Sequence, residues 1–264
     1  MKKILFLIAM TLAVASALPA QTVSKIEAEL SGHLEKLKKA STDSGAADYD
    51  ALARENQAIR TALLKYGTRT DVLKYSFPQL SKQLTMTTSK DGNLRTYSWD
   101  GEEGGTMRDY YTVYQFRGKS GKSHAWSEPA TQNMEQRGAG GFVHQIFQTD
   151  TASGPIYLTV STFIASTSLA GQTISVVRID GEKLDRSPKV IKTHSGTTSS
   201  ITFGYDFFSV VDHPERPVRL VFFDEAKKSF RFPIVIQDKK TPQGRVTNRS
   251  ITYHYNGTYF VKVS

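Results

Sequence analysis

The sequence predicts a mainly β protein: a short N-terminal helical hairpin followed by an antiparallel β-meander, closed as a sandwich or as a small propeller-like array. Three observations carry this prediction. The hydrophobic period changes near residue 84, from steps of three and four to steps of two. Beyond that point, short apolar runs are separated by tight-turn pairs such as Asp91-Gly92, Asp180-Gly181 and Asn256-Gly257. No helix-period stretch interrupts those runs, so each strand is expected to pair with its neighbours in sequence.

Residues 1–20 read as a secretory signal peptide. Met1-Lys2-Lys3 gives a positive start, an apolar stretch from Ile4 to Leu18 follows, and Ala15-Ser16-Ala17 and Pro19-Ala20 offer small-residue cleavage sites. We place cleavage after Ala20, because Gln21 opens a polar run. The apolar stretch falls short of the roughly 20 residues that span a bilayer. No later stretch reaches that length, so no membrane span is expected and the mature chain is expected in the periplasm or outside the cell. The sequence holds no cysteine. That excludes disulfide staples, thiol catalysis, Cys-ligated zinc and a lipid anchor attached through a cysteine, and leaves stability to a hydrophobic core.

Residues 21–83 form the helical segment. Val23, Ile26, Leu30, Leu34 and Leu37 fall on one helix face, with Ser24 and Glu27 spaced as a capping box. Ser41 to Ala47 is small and polar and reads as a connector. Tyr49, Leu52, Asn56, Ile59 and Leu63 repeat the helical spacing, and Gly67 ends that helix. Two narrow apolar stripes make a hairpin too small to bury much by itself, so it is expected to dock on the β domain. Thr70 to Leu84 reads as one or two short helical turns broken before Pro78.

Residues 84–264 form the β domain. Strands are expected at Leu84–Thr88, Leu94–Trp99, Tyr110–Phe116, Ser123–Trp126, Phe142–Gln148, Ile156–Ile164 and Gln172–Ile179. Further strands are expected at Pro188–Lys192, Ile201–Phe208, Val218–Phe223, Phe230–Ile236, Arg249–Tyr255 and Thr258–Val263. In the last hairpin Ile251, Tyr253 and Tyr255 share one face, and Asn256-Gly257 predicts a two-residue type I′ turn.

The most distinctive stretch runs from Ser89 through Asp91-Gly92, Leu94-Arg95, Tyr97-Ser98-Trp99-Asp100 and on to Gly104-Gly105-Thr106-Met107. It resembles a segment of uncharacterised exported proteins of Bacteroidota, in which an Asp-Gly turn leads to Leu-Arg-x-Tyr-Ser-Trp-Asp and then Gly-Gly-Thr-Met. The resemblance covers Tyr75 to Phe116. It implies export and a helix-then-β order, and no activity.

Read for chemistry, the same stretch is a hairpin followed by an acidic, glycine-rich loop. Asp100, Glu102, Glu103 and Asp109 bring four carboxylates into ten residues. Such a group suits calcium by ligand type but lacks the spacing of a known calcium loop. Tyr97, Trp99, Tyr110, Tyr111, Tyr114, Phe116 and Trp126 crowd the same region, either as core pairs or as a platform for sugar rings. Hydrolase signatures fail: G-x-S-x-G, S-x-x-K and H-E-x-x-H are absent, and the six histidines are widely separated. The formal charge of +9 is spread over loops and helices without a block of like charge or an arginine stripe, which argues against a nucleic-acid partner.

Three functions remain open. The first is a non-enzymatic binding module for an envelope glycan or protein, with Trp99, Asp100, Glu103 and Trp126 as ligand-binding candidates. The second is a glycan hydrolase built on Asp100 and Glu103 with His124. The third is a lysozyme-type inhibitor, disfavoured because a basic chain is poorly matched to a basic target. The sequence assigns no catalytic residue, metal ligand or cofactor.

Overall fold

The computed structural model describes residues 21–42, 47–128 and 140–263. The expected signal peptide and most of the Ser41–Ala47 connector lie outside these residues. Helix α1 (Val23–Thr42) and helix α2 (Tyr49–Tyr66) form the helical pair, followed by the single turn α3 (Thr70–Lys74) and a 3₁₀ turn at Leu80–Lys82. Fifteen strands follow among the described residues, beginning with β1 (Thr85–Thr88), β2 (Leu94–Asp100), β3 (Tyr110–Arg117) and β4 (Ser123–Ser127). Next come β5 (Phe142–Thr151), β6 (Gly154–Ile164), β7 (Leu169–Asp180), β8 (Lys183–Asp185), β9 (Ile191–Thr193), β10 (Gly196–Thr198) and β11 (Ser200–Asp206). The last four are β12 (Phe222–Asp224), β13 (Ser229–Ile236), β14 (Arg245–Tyr255) and β15 (Phe260–Val263). No helix among the described residues is long and apolar enough to cross a membrane.

The strands make three sheets. A helix-side sheet has the order β1-β2-β3-β4, a middle sheet the order β11-β7-β6-β5 with β8 beside β7, and an outer sheet the order β10-β9-β15-β14-β13-β12. Pairing is antiparallel except between β15 and β9. Side-chain alternation shows how the sheets stack. In β2 and β3, Tyr97, Trp99 and Val113 pack with Ile26, Leu30, Leu52 and Ile59 of the helices. From the opposite face, Leu94, Tyr114 and Phe116 pack on Tyr157 and Val177 of the middle sheet. On its other face the middle sheet sends Ile156, Leu158, Val160, Ile174 and Val176 against Phe230, Phe232, Tyr253, Tyr255 and Phe260 of the outer sheet. The middle sheet is therefore buried on both faces. The architecture is a stack of helices and three sheets, and it closes as a sandwich rather than a propeller.

Both helix stripes are buried as the period predicts, apart from Val23, which is partly buried, and Tyr49, which is exposed. The Ser24–Glu27 capping box does not form. Thr22 starts α1, its Oγ1 accepting from Lys25 N at 3.4 Å. Glu27 instead turns inward and accepts from the backbone N–H groups of Gln79 (2.7 Å) and Leu80 (3.0 Å) and from the Tyr75 hydroxyl. A buried carboxylate that finds three donors is better placed there than at a solvated helix end. Gly67 ends α2 as expected, but in the right-handed region, at φ −64°. Its lack of a side chain serves close packing: a Cβ there would lie 2.6 Å from Ala125 Cβ on β4.

Several strand boundaries differ from expectation. The Ile201–Phe208 run stops at Asp206, whose Oδ1 caps Phe208 N (2.9 Å) and starts a 3₁₀ turn at Phe207–Val210. Of Val218–Phe223, only Phe222 and Phe223 join a ladder, as part of β12. The preceding stretch contains Pro214 and Pro217, which have no N–H to give a ladder. It crosses the middle sheet as a strap. In the final hairpin Asn256 N donates to Tyr259 O, and Asn256 Oδ1 accepts from Thr258 N and Tyr259 N. The turn thus centres on Gly257 and Thr258, with Gly257 at φ +102°. The asparagine side chain supplies the closing bonds that moved it one residue on.

Candidate functional site

The acidic loop Asp100–Asp109 leaves β2 at one end of the helix-side sheet. Gly101 N donates to Asp109 O (2.7 Å) and Glu102 N to Asp100 Oδ1 (2.9 Å), with Glu102 in the left-handed region at φ +57°. Arg108 lies between two of the carboxylates, 3.4 Å from Asp100 Oδ2 and 3.5 Å from Glu102 Oε2. Its backbone N–H donates to Ile164 O (3.0 Å), fastening the loop to the end of β6. Burial raises the Asp100 carboxyl above the usual range, the Glu102 and Asp109 charges add to this, and Arg108 opposes it. Burial and the Asp100 charge push the Tyr110 hydroxyl up to about 12.

This fastening creates a cleft of about 360 Å³ lined by Gly105, Thr106 and Arg108 of the loop, by Ile164, Ser166, Thr167 and Ala170 around the β6–β7 turn, and by Phe207. The turn is braced from within, Ser166 Oγ accepting from Ser168 N and Leu169 N. Phe207 N donates to Ser168 O (2.6 Å), which seats the 3₁₀ turn against it. Two large apolar side chains next to lining residues, Met107 and Phe208, are 51% and 60% exposed. The cleft therefore offers hydroxyls, one guanidinium and one aromatic ring.

The four residues singled out from the sequence do not converge. Trp99 is buried in the helix-side core, stacked on Tyr111 at 5.4 Å, with its Nε1 donating to Asn56 Oδ1 at 2.9 Å, so no ring face is open to a ligand. Glu103 accepts from the Tyr111 hydroxyl (2.8 Å), and Tyr111 packs on the helix-facing side of β3. Asp100 instead sits opposite Tyr110, beside Arg108 of the cleft. Trp126 is on β4, its ring covered by the Arg186 guanidinium at 4.4 Å, which also pairs with Glu128. The acid–histidine set of the hydrolase reading is split as well. Asp100 lies opposite Tyr110 and His124 opposite Phe116 along β3, a separation of about 20 Å at roughly 3.4 Å per residue. His124 is instead bonded to Glu182 (2.6 Å), which also accepts from Ser120 N and Oγ.

Of the predicted residues, Asp100 alone adjoins the cleft. Sequence reading passed over Ser166, Thr167 and Phe207. The run Ala165-Ser-Thr-Ser168 between two apolar strands was a legible turn, but nothing in it announced that the acidic loop and the Phe207 turn would meet it. Among the described residues no group of three or more His, Asp or Glu is placed to hold a metal ion. No family model matches the chain, and comparison with curated proteins and with solved structures gives no significant match.

Proposed function

We propose that this chain is an exported, non-enzymatic binding protein whose ligand is an envelope glycan, held in the cleft between the acidic loop, the β6–β7 turn and Phe207. One observation carries the reading: the lining joins hydroxyls (Thr106, Ser166, Thr167) and a guanidinium (Arg108) to an aromatic ring, and none of the described lining residues is a carboxylate or histidine. Polar groups that fix orientation beside an apolar surface are the ordinary make-up of a ligand site. Proton transfer needs a titratable group within hydrogen-bond reach of the reacting atom. Asp100 and Glu102 are both paired with Arg108, and Glu103 is bound to Tyr111. The leader-like residues 1–20 support export.

The test uses a plug. Gly105 lines the cleft and a Cβ there meets nothing within 4 Å, so Gly105→Trp sets a bulky ring at the cleft wall without a clash at its root. Wild-type protein is expected to be retained on insoluble cell-wall fractions, and G105W to lose at least tenfold in retention. Equal retention of the two, or no retention of either, overturns the proposal. So does turnover of a glycan panel that Asp100→Asn abolishes.

A further inference from the structure

One row of side chains inward from the cleft floor, the middle sheet carries a buried polar cluster that the binding reading does not use. Ala170 lines the cleft, and Gln172, two residues along β7, faces the same side. Gln172 is fully buried; its Nε2 donates to Thr162 Oγ1 (3.2 Å) and to Val218 O of the strap (2.7 Å). Thr162 Oγ1 is bonded in turn to His144 Nε2 at 2.9 Å. The next residue, Gln145, donates to Val221 O (3.4 Å). Two carbonyls of the strap are thus tied to the sheet by side chains alone, on either side of Arg219. Three polar atoms of the cluster, His144 Nδ1, Gln145 Oε1 and Gln172 Oε1, are buried without a hydrogen-bond partner among the described residues. The bulge of β5 between Val143 and Gln145 places His144 here.

We propose that the segment from Val211 to Val221 is an acid-released strap, latched to the middle sheet while His144 is neutral and freed when it takes a proton. Once protonated, both ring nitrogens of His144 are donors, and Nδ1 has no acceptor within hydrogen-bond distance among the described residues, so the cation stands beside Arg219 with that N–H unmatched. The other groups around it carry no charge: Thr162 from β6, Gln172 from β7, and Phe142 of β5, which packs on Tyr110 of the helix-side sheet. On the strap, the Glu215 carboxylate accepts from the Arg219 backbone N–H and lies 3.8 Å from His213, and among the described residues Arg219 is the one charge that acts on the His144 ring. Burial, and then the Arg219 charge, push the His144 imidazole down to about 4. An opened strap returns the ring to water, where its pKa is about 6.5. The closed form therefore resists protonation between about pH 6.5 and 4, and linkage shifts the balance toward opening across that window, by up to about 80-fold at pH 4.5. The strap grows from the 3₁₀ turn that carries Phe207, so release also loosens one wall of the cleft. Only that last consequence rests on the binding proposal.

The absence of native cysteine makes a direct test possible. A single Val218→Cys reports on the strap and a single Val176→Cys on the core between middle and outer sheets; both native side chains are buried. Each is labelled with an aromatic disulfide reagent at pH 7 and pH 4.5, and its rate is divided by that of the same variant unfolded at the same pH. Protection of V218C is expected to fall ten- to a hundredfold on acidification, with V176C unchanged. His144→Gln in the V218C background is expected to remove most of the fall. Arg219→Met leaves the histidine in place and is expected to shrink the fall, which covers a failure of His144→Gln to fold. Unchanged protection of the V218C thiol, parallel loss in both single variants, or a fall unaltered by either second substitution overturns the proposal. No ligand enters the measurement, so its outcome is independent of the cleft experiment.

Discussion

The helix-covered face of the first sheet and the strap-covered end of the middle sheet both bury polar side chains, and they differ in how completely those side chains are paired. Under the helices, Glu27 accepts three hydrogen bonds, and Asn56 receives the Trp99 Nε1–H while donating to Gly101 O. Gln115 is filled in the same way, donating to Gly67 O and Arg69 O and accepting from Tyr97. On α1 the Ser31 hydroxyl is unmatched, but at the strap three neighbouring side chains, His144, Gln145 and Gln172, each keep one buried atom unmatched. A satisfied buried polar group fixes one arrangement, whereas a half-satisfied one costs the closed state free energy that opening recovers. The contrast teaches where this fold is rigid and where it is poised to move: the helical hairpin is part of the frame, and the strap is latched onto it.

The contrast can be broken at either end. The largest effect is expected from Glu27→Ala, which strands the buried N–H groups of Gln79 and Leu80; a loss of about 2–4 kcal/mol in urea unfolding is expected. Gln172→Met, of similar volume, removes the unmatched Oε1 together with the Nε2 bonds to Thr162 Oγ1 and Val218 O; set against each other, these are expected to cost about 1–2 kcal/mol by the same measurement, less than the Glu27 variant. A Gln172 variant as damaging as the Glu27 variant would erase the distinction.

Stability against pH sharpens it. A base whose pKa is lowered on folding leaves the unfolded chain holding more protons between the two values, so stability is whole above about pH 6.5 and falls as pH drops toward 4. The His144 share is at most about 3 kcal/mol, and partial exposure of the ring reduces it. Urea melts at pH 7.5 and 4.5 are expected to differ less in His144→Gln than in the unaltered chain. An equal difference would assign the acid loss to other groups.

Much of this was legible in the sequence, for a physical reason. Period-two runs buried on one or both faces read directly as strands, and the Leu-x₃-Leu steps of α1 read directly as a helix face. What failed were places where a side chain outbid a local rule. Glu27 left its cap for three buried donors, Asn256 shifted its own turn, and Pro214 and Pro217 kept the Val218 run out of the ladder. The cleft was hidden for a different reason. Its walls come from residues near 106, 166 and 207, and only the stacking of sheets brings them together. The aromatic density that pointed to Trp99 and Trp126 was core packing in one case and a ring capped by Arg186 in the other.

The most direct test of the central contrast is amide hydrogen exchange at neutral pH, read for α2, β2 and β3 against residues 207–221. The account predicts that 207–221 exchanges through a local opening of much lower free energy, while the helix-covered ladder exchanges only with global unfolding. Equal protection of the two regions, or earlier exchange from the β2–β3 ladder, would contradict it.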